Sequence, residues 1–327
     1  MQTRECLVSV LCTAYNHEKY IRQTLQSFVD QQTDFAFEVL VNDDKSTDGT
    51  AAIIREFEQK YPDIIRAFYQ EENLYSQGVY INREVFLPNA RGKYIAYCEG
   101  DDYWTDPLKL QLQADFLESH PEYSACVHNT MLHYCAGDQP DKLLLRNRKG
   151  DCDVRIEDVA KGVSYSFHTS SILVKKELLD NPPAFSDESY TCGFDDHPEA
   201  LWFMFNGPVR YLDRCMSVYR INSGTSSWSI GVDHEYAKLR DYAAAEISML
   251  RACLREAPEE FKPAIEHEIL AHEFDLMYIE GRDREQRKPP DDAILRTMPR
   301  SYRVNNFIKC TFPGLHKLYR RFRGYKG

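Results

Sequence analysis

Leu7-Val8-Ser9-Val10-Leu11-Cys12 is a nearly unbroken apolar run, short enough to be a strand buried on both faces. The period then changes: Ile21, Leu25 and Phe28 recur at helical spacing within residues 18–31, which predicts an amphipathic helix. A second strand is expected over residues 38–42, followed by the polar turn Asp43-Asp44-Lys45-Ser46-Thr47-Asp48-Gly49. A helix over 50–61 follows, with Ile53, Ile54, Phe57 and Tyr61 as its apolar stripe. Residues 65–69 and 94–98 read as a third and a fourth strand. Strands alternating with helices predict right-handed βαβ crossovers and an α/β fold, a mainly parallel sheet flanked by helices. In such sheets ligands lie at the carboxyl ends of the strands, so the polar residues just after each run are the ones to examine.

Farther along, Asp106-Pro107 offers a capping residue and a proline at the first helical position, predicting a helix to about Ser119. Strands are expected over 124–127, 171–174, 209–212 and 216–220. From 236 to 279 the pattern is helical, and 282–290 is a charged, proline-ended linker. The simplest partition is an αβ body over 1–230 and a helical extension over 231–327.

Composition narrows the picture. A chain of 327 residues, 43% hydrophobic, can bury a sizeable core. Its ten cysteines show no CxxC or CxxH spacing, which suggests reduced thiols rather than a zinc site or a disulfide framework. The first residues lack the apolar core of a signal peptide, and no stretch approaches the ~20 apolar residues of a membrane span. The expectation is a cytoplasmic protein, soluble or attached peripherally to the inner face of the membrane. A net charge of −11 argues against nucleic-acid binding. That average hides an asymmetry: residues 300–327 carry eight basic residues and no acidic one, leaving −19 for the rest.

Four polar clusters fall where strands should end: Thr13-Ala14-Tyr15-Asn16, Asp43-Asp44, Glu99-Gly100-Asp101-Asp102 and, far downstream, Asp195-Asp196. Three carboxylates within four residues repel one another unless a cation sits among them, and hard oxygen ligands favour Mg²⁺ or Mn²⁺. A metal held there would neutralise a diphosphate leaving group. The competing reading is a solvated turn capping the next helix, but Asp106 is the better cap.

In the order and spacing of Val8 to Asn16, Glu38 to Thr50 and Ala90 to Asp102, the chain resembles the family 2 glycosyltransferases of GT-A (Rossmann-like) fold. Gly193 to Pro198 and Ser217 to Gly224 are similar to later landmarks of that family. The resemblance implies a nucleotide-binding half over about 1–120 and an acceptor half over about 121–230. It implies that Thr13, Tyr15 and Asp44 line the nucleobase pocket with Glu99 near the ribose, and that Ala14, Asn16, Asp43, Gly100 and Asp101 also bind the nucleotide. Asp101 and Asp102 would hold a divalent metal, Mn²⁺ or Mg²⁺. Asp196 matches the catalytic base of inverting sugar transfer, favoured over Asp195; either aspartate would also cap the helix that follows. Two departures stand out: Glu99 where many relatives have Asp, and Asn222 where many have a His near the metal. Arg83, Arg91 and Lys93 precede the acidic loop, with surface solvation the default for each, and for His128 a satisfied core histidine is the default. His168-Thr169-Ser170-Ser171 stands where related enzymes contact donor or acceptor sugar.

Within 307–327, Leu315, Leu318, Tyr319 and Phe322 share a helical face opposite Lys317, Arg320 and Arg321, a pattern suited to an anionic membrane surface; the alternative is a terminal helix docked on the acidic body. The expected reaction is transfer of one sugar from a nucleoside-diphosphate sugar, a UDP-sugar first, to a glycan or lipid-linked saccharide, as in bacterial surface polysaccharide assembly. A sugar nucleotidyltransferase is the enzymatic alternative, although Thr13-Ala14-Tyr15-Asn16 is no glycine-rich phosphate loop. An inactive nucleotide-sugar-binding partner of another transferase is the alternative from outside catalysis.

Overall fold

The computed structural model describes residues 5–185, 196–221, 223–224, 236–280, 282, 295–296 and 300–311. The chain forms two compact units, residues 1–233 and 234–327. In the first, one sheet runs in the order β3 (Ile65–Tyr69), β2 (Ala36–Asp43), β1 (Cys6–Ala14), β4 (Tyr94–Tyr97), β9 (Leu173–Lys175), β6 (Ala125–Tyr134), β10 (Val209–Ile221), β5 (Tyr103–Trp104). Two-residue strands extend it, β7 (Lys142–Leu143) on β6 and β8 (Cys152–Asp153) on β10. The four strands β3, β2, β1 and β4 are mutually parallel. β9 then enters antiparallel to both β4 and β6, while β6 and β10 are parallel again.

The unbroken apolar runs have the burial they require. Val8, Val10 and Cys12 face one side of β1 without exposure, Leu11 is buried on the other, and Val39, Leu40 and Val41 repeat this on β2. Helix α1 (Ile21–Val29) turns Ile21, Leu25 and Phe28 into the core, and α2 (Thr50–Lys60) turns in Ile54 and Phe57. Each such side chain contributes about 1.5–3 kcal/mol by leaving water. Phe28 meets Trp104 edge-on at 4.7 Å, which packs α1 against the strand that follows the acidic loop.

Two elements differ from expectation. The helix after the acidic loop, α3 (Lys109–Ser119), begins at Lys109, so Pro107 is not its first residue and Asp106 is not its cap. The reason is a bond network to the end of α1: Gln31 accepts from the Leu110 N–H at 3.1 Å and donates to the Asp106 carbonyl at 2.9 Å. Asp106 instead takes the Leu108 N–H at 2.9 Å, closing a turn before the helix. The two strands expected over 209–212 and 216–220 are one strand, β10, with register shifts between Leu212 and Ser217. There Asp213, Arg214 and Cys215 bulge outward, which makes the sequence look broken.

Short helices α4 (Ile156–Ala160) and α5 (Lys176–Asp180) and the longer α6 (Asp196–Phe205) complete the first unit. In the second, α7 (Tyr236–Glu256) and α8 (Lys262–Ile279) are linked by an Arg251–Glu273 ion pair and bury Leu250, Cys253, Ile265 and Phe274; α9 (Arg300–Thr311) follows. Asp195, Asn222, most of the 282–290 linker and the basic stretch 315–322 lie outside the described residues. Among the described residues, no helix is long and apolar enough to cross a membrane.

Gly92 marks the tightest approach in the parallel half: a Cβ there would stand 2.4 Å from the Ser9 nitrogen and 2.7 Å from the Val8 carbonyl carbon. Both neighbours are backbone of β1 and cannot swing aside. Gly92→Ala is expected to destabilise the first unit by about 1–3 kcal/mol in urea denaturation. Unchanged stability would mean that β1 and the chain before β4 are not packed this closely.

Candidate active site

Three loops meet at the carboxyl ends of β1, β2 and β4, and backbone hydrogen bonds join them. The Asp44 N–H donates to the Ala14 carbonyl at 2.9 Å, and the Gly100 N–H donates to the Thr13 carbonyl at 2.8 Å. Asn16 adopts a left-handed φ of 56°, a conformation asparagine tolerates better than most residues. It locks the first loop to the second, its N–H donating to Ser46 Oγ at 2.9 Å and its Oδ1 accepting from the Thr47 N–H at 2.8 Å. Ala14 and Asn16 hold the loops together, while Tyr15 between them is 43% exposed.

Asp44 is buried, and its carboxylate accepts the N–H groups of Leu74 at 2.8 Å and Tyr75 at 3.0 Å. It draws residues 73–75 over the end of β2, and each carboxylate oxygen keeps a lone pair for a further donor. Asp43 is buried beside it with one oxygen lacking a donor. Burial pushes the Asp43 carboxyl up, while hydrogen bonds from Ser46 oppose the shift.

The acidic loop departs from β4 at Glu99, which is exposed, and then dives inward: Asp101 is 2% and Asp102 1% accessible. Gly100 permits the dive, because a Cβ would stand 2.6 Å from His17 Nδ1 and 3.0 Å from the Thr13 carbonyl oxygen. The Thr24 hydroxyl, on the inner face of α1, lies 2.9 Å from the Gly100 carbonyl oxygen and 2.5 Å from that of Asp102. Asp101 Oδ2 accepts from Ser223 Oγ at 3.1 Å, and Asp102 Oδ1 accepts from the Arg220 N–H at 2.9 Å. Burial, then the charges of Asp101 and Glu99, push the Asp102 carboxyl well above the usual range, against a pull from Arg220.

The remaining oxygen of Asp102, Oδ2, is buried without a hydrogen-bond donor. A donorless carboxylate oxygen beside two further acids fits a hard divalent cation. Among the described residues no group of three His, Cys, Asp or Glu side chains forms a metal cage. Such a cation would therefore complete its shell with phosphate and water.

Asp196 is exposed at the first turn of α6, and Thr169 Oγ1 approaches its Oδ2 at 3.4 Å. The neighbouring His168 stacks on Tyr219 of β10 with centroids 4.3 Å apart, and its Nδ1 accepts from the Ser170 N–H at 3.2 Å. Burial brings the His168 pKa down to about 4, so the ring is neutral at ordinary pH. Trp104 Nε1 donates to the Ser170 carbonyl at 3.0 Å, tying the strand after the acidic loop to the turn beside Asp196. Arg91 and Lys93 point elsewhere, paired with Glu38 and Glu118. His128 is fully buried, as a core histidine should be, but only its Nδ1 has a partner. Sequence reasoning missed His17, Thr24 and Arg220. Thr24 falls beside Leu25 on an otherwise apolar stripe, and Arg220 is a charge in a buried strand; both were visible as misfits.

A family model described as "Glycosyl transferase family 2" matches residues 9–152. An uncharacterised protein of Mycobacterium tuberculosis is 45% identical over 222 residues, 65% of this chain and 58% of that protein, so the chain spans less than two thirds of its length. An uncharacterised glycosyltransferase of Nostoc sp. is 31% identical over 246 residues, covering 74% of this chain and 73% of its own. In Escherichia coli, a UDP-Glc:α-D-GlcNAc-diphosphoundecaprenol β-1,3-glucosyltransferase is 34% identical over 113 residues, 35% of this chain and 42% of that enzyme. Two solved structures share the fold. TarS 1–349 of S. aureus with UDP-GlcNAc has a TM-score of 0.58 at 18% identity, covering 93% of this chain and 79% of its own. A Pyrobaculum calidifontis mannosyltransferase with GDP-Man and Mn²⁺ has a TM-score of 0.55 at 20% identity, covering 93% and 84%.

An acid whose native pKa is raised holds its proton more tightly when folded, so its ionisation reduces stability as pH rises. Asp102→Asn is therefore expected to melt above the wild type at pH 7.5 in EDTA, and the gap should narrow as the pH is lowered toward about 4. Thermal melts across that range check it; a variant that melts below the wild type at pH 7.5 contradicts it.

Proposed function

The chain belongs to glycosyl transferase family 2, and from that membership we propose that it is an inverting, metal-assisted glycosyltransferase. It moves one sugar from a UDP-sugar to a hydroxyl of a glycan or lipid-linked saccharide. The observation that carries this reading is the convergence of Asp44, Asp101 and Asp102, all buried, at the ends of the two strands that flank β1, with one Asp102 oxygen lacking a donor.

In this reading Tyr15 offers its exposed ring to the uracil face, and Asp44, held rigid by two N–H bonds, accepts from the base. Glu99 reaches the ribose from the exposed start of the loop. Asp101 and Asp102 hold the Mg²⁺ or Mn²⁺ against the diphosphate, and when bound the cation stabilises charge on the leaving group. Asp196 takes the proton from the attacking hydroxyl. Its exposure in the first turn of α6 leaves it open to an acceptor.

The relatives support the substrate classes. TarS is solved with UDP-GlcNAc, and the E. coli relative is named for UDP-Glc and a diphosphoundecaprenol-linked acceptor. The mannosyltransferase is solved with Mn²⁺ and a guanine nucleotide. UDP is favoured because both TarS and the E. coli relative are named with uridine nucleotide sugars. Residues 1–120 would then serve the donor and 121–230 the acceptor. The basic residues of 307–327 would bring the enzyme to an anionic membrane carrying a lipid-linked acceptor, placing it in surface polysaccharide assembly.

Asp196→Asn separates binding from chemistry. Turnover of a UDP-sugar, followed as UDP release, should fall by about 10²–10⁴-fold while UDP affinity stays within about twofold of the wild type. Wild-type turnover would remove Asp196 as the base.

A further inference from the structure

Arg220 is a buried cation beside the acidic loop, and nearly everything around it is arranged to hold it still. Its guanidinium carbon lies 4.9 Å from the ring centroid of Tyr20 and 4.5 Å from that of Tyr103. One arm of the fork, Nη1, donates to the carbonyl oxygen of Asp101, and the other, Nη2, to Gln23 Oε1 at 2.5 Å. The backbone N–H of the same residue donates to Asp102 Oδ1 at 2.9 Å. Three residues on, Ser223 Oγ donates to Asp101 Oδ2 at 3.1 Å, and the Ser223 carbonyl accepts the Tyr20 hydroxyl at 3.0 Å. Residues 220 and 223 thereby touch both carboxylates and the backbone between them.

We propose that Arg220, braced by Tyr20, Tyr103 and Gln23, is a positioning residue that presets the Asp101–Asp102 pair for a divalent cation bound to the donor diphosphate. This rests on the donor-site reading above. A loop carrying two aspartates can turn their carboxyl groups apart when no cation holds them. The planar fork opposes that, fixing the Asp101 carbonyl with one arm while the other is anchored on α1, a geometry that the single ammonium of lysine does not reproduce. Gln23 is exposed on α1, so the brace can be weakened from the surface without opening the core. Arg220 touches no substrate in this scheme; it acts through the two aspartates.

The test is calorimetric titration of UDP into the full chain, with Mn²⁺ and with EDTA, for the wild type, Arg220→Lys and Gln23→Leu. The readout is the ratio of the two affinities. Arg220→Lys should lower that ratio about tenfold and Gln23→Leu about threefold, with EDTA affinity and the Gln23→Leu melting temperature unchanged. Should Arg220→Lys fail to fold, Gln23→Leu carries the test. A wild-type ratio in the variants overturns the role of Arg220. So does a parallel fall of EDTA affinity and melting temperature in Gln23→Leu, which marks a merely structural role. A wild type that gains nothing from Mn²⁺ overturns the donor-site reading itself, and this inference with it.

Discussion

Asp101 and Asp102 bring two carboxyl groups into a place where water barely reaches, and burial, then the charges of Asp101 and Glu99, push Asp102 well above the ordinary carboxylate range. A cluster of this kind persists only when its surroundings hold it. Thr24 stands at the loop carbonyls, Ser223 and the Arg220 N–H reach the carboxylates, and the Arg220 guanidinium secures the backbone. Even so, one oxygen of Asp102 is left without a donor. In the proposed reading a divalent cation would take that oxygen.

The same constraint explains how distant parts of the chain come to one place. β1, β2 and β4 are adjacent and parallel, so their exits converge, and that brings the first three polar clusters together. The far side of the cleft depends on β9 entering antiparallel between β4 and β6, which leaves the 168–171 turn beside both β10 and Asp196. Trp104, two residues after the acidic loop, bonds to that turn, so the acidic loop and the Asp196 side share a brace.

Much of the parallel half was legible in the sequence, because a strand buried on both faces must be apolar at consecutive positions, as Val8 to Cys12 and Val39 to Val41 are. The acidic loop was legible for the opposite reason: Glu99, Asp101 and Asp102 crowd too much charge into four residues to be accidental. Less legible were features set by partners far away in sequence. Asp106 looks like a helix cap, yet Gln31 from the end of α1 supplies the bonds and α3 starts later. β10 looks like two strands because its bulge carries Asp213 and Arg214 outward. Asp44 read as a nucleobase contact, and its carboxylate also anchors Leu74 and Tyr75, a bond between segments that no local pattern announces. Arg220 reads locally as one residue of a strand, although a charge in a run that buries Met216, Ser217 and Val218 is itself a signal.

A crystal structure of the chain with UDP and Mn²⁺, using the anomalous signal of manganese to locate the cation, examines the acidic loop most directly. Manganese is expected within about 2.0–2.3 Å of a carboxylate oxygen of Asp102 or Asp101, with diphosphate oxygens in its shell and the uracil beside Tyr15. Manganese bound through other residues, or UDP seated away from the ends of β1, β2 and β4, would contradict the assignment of this loop.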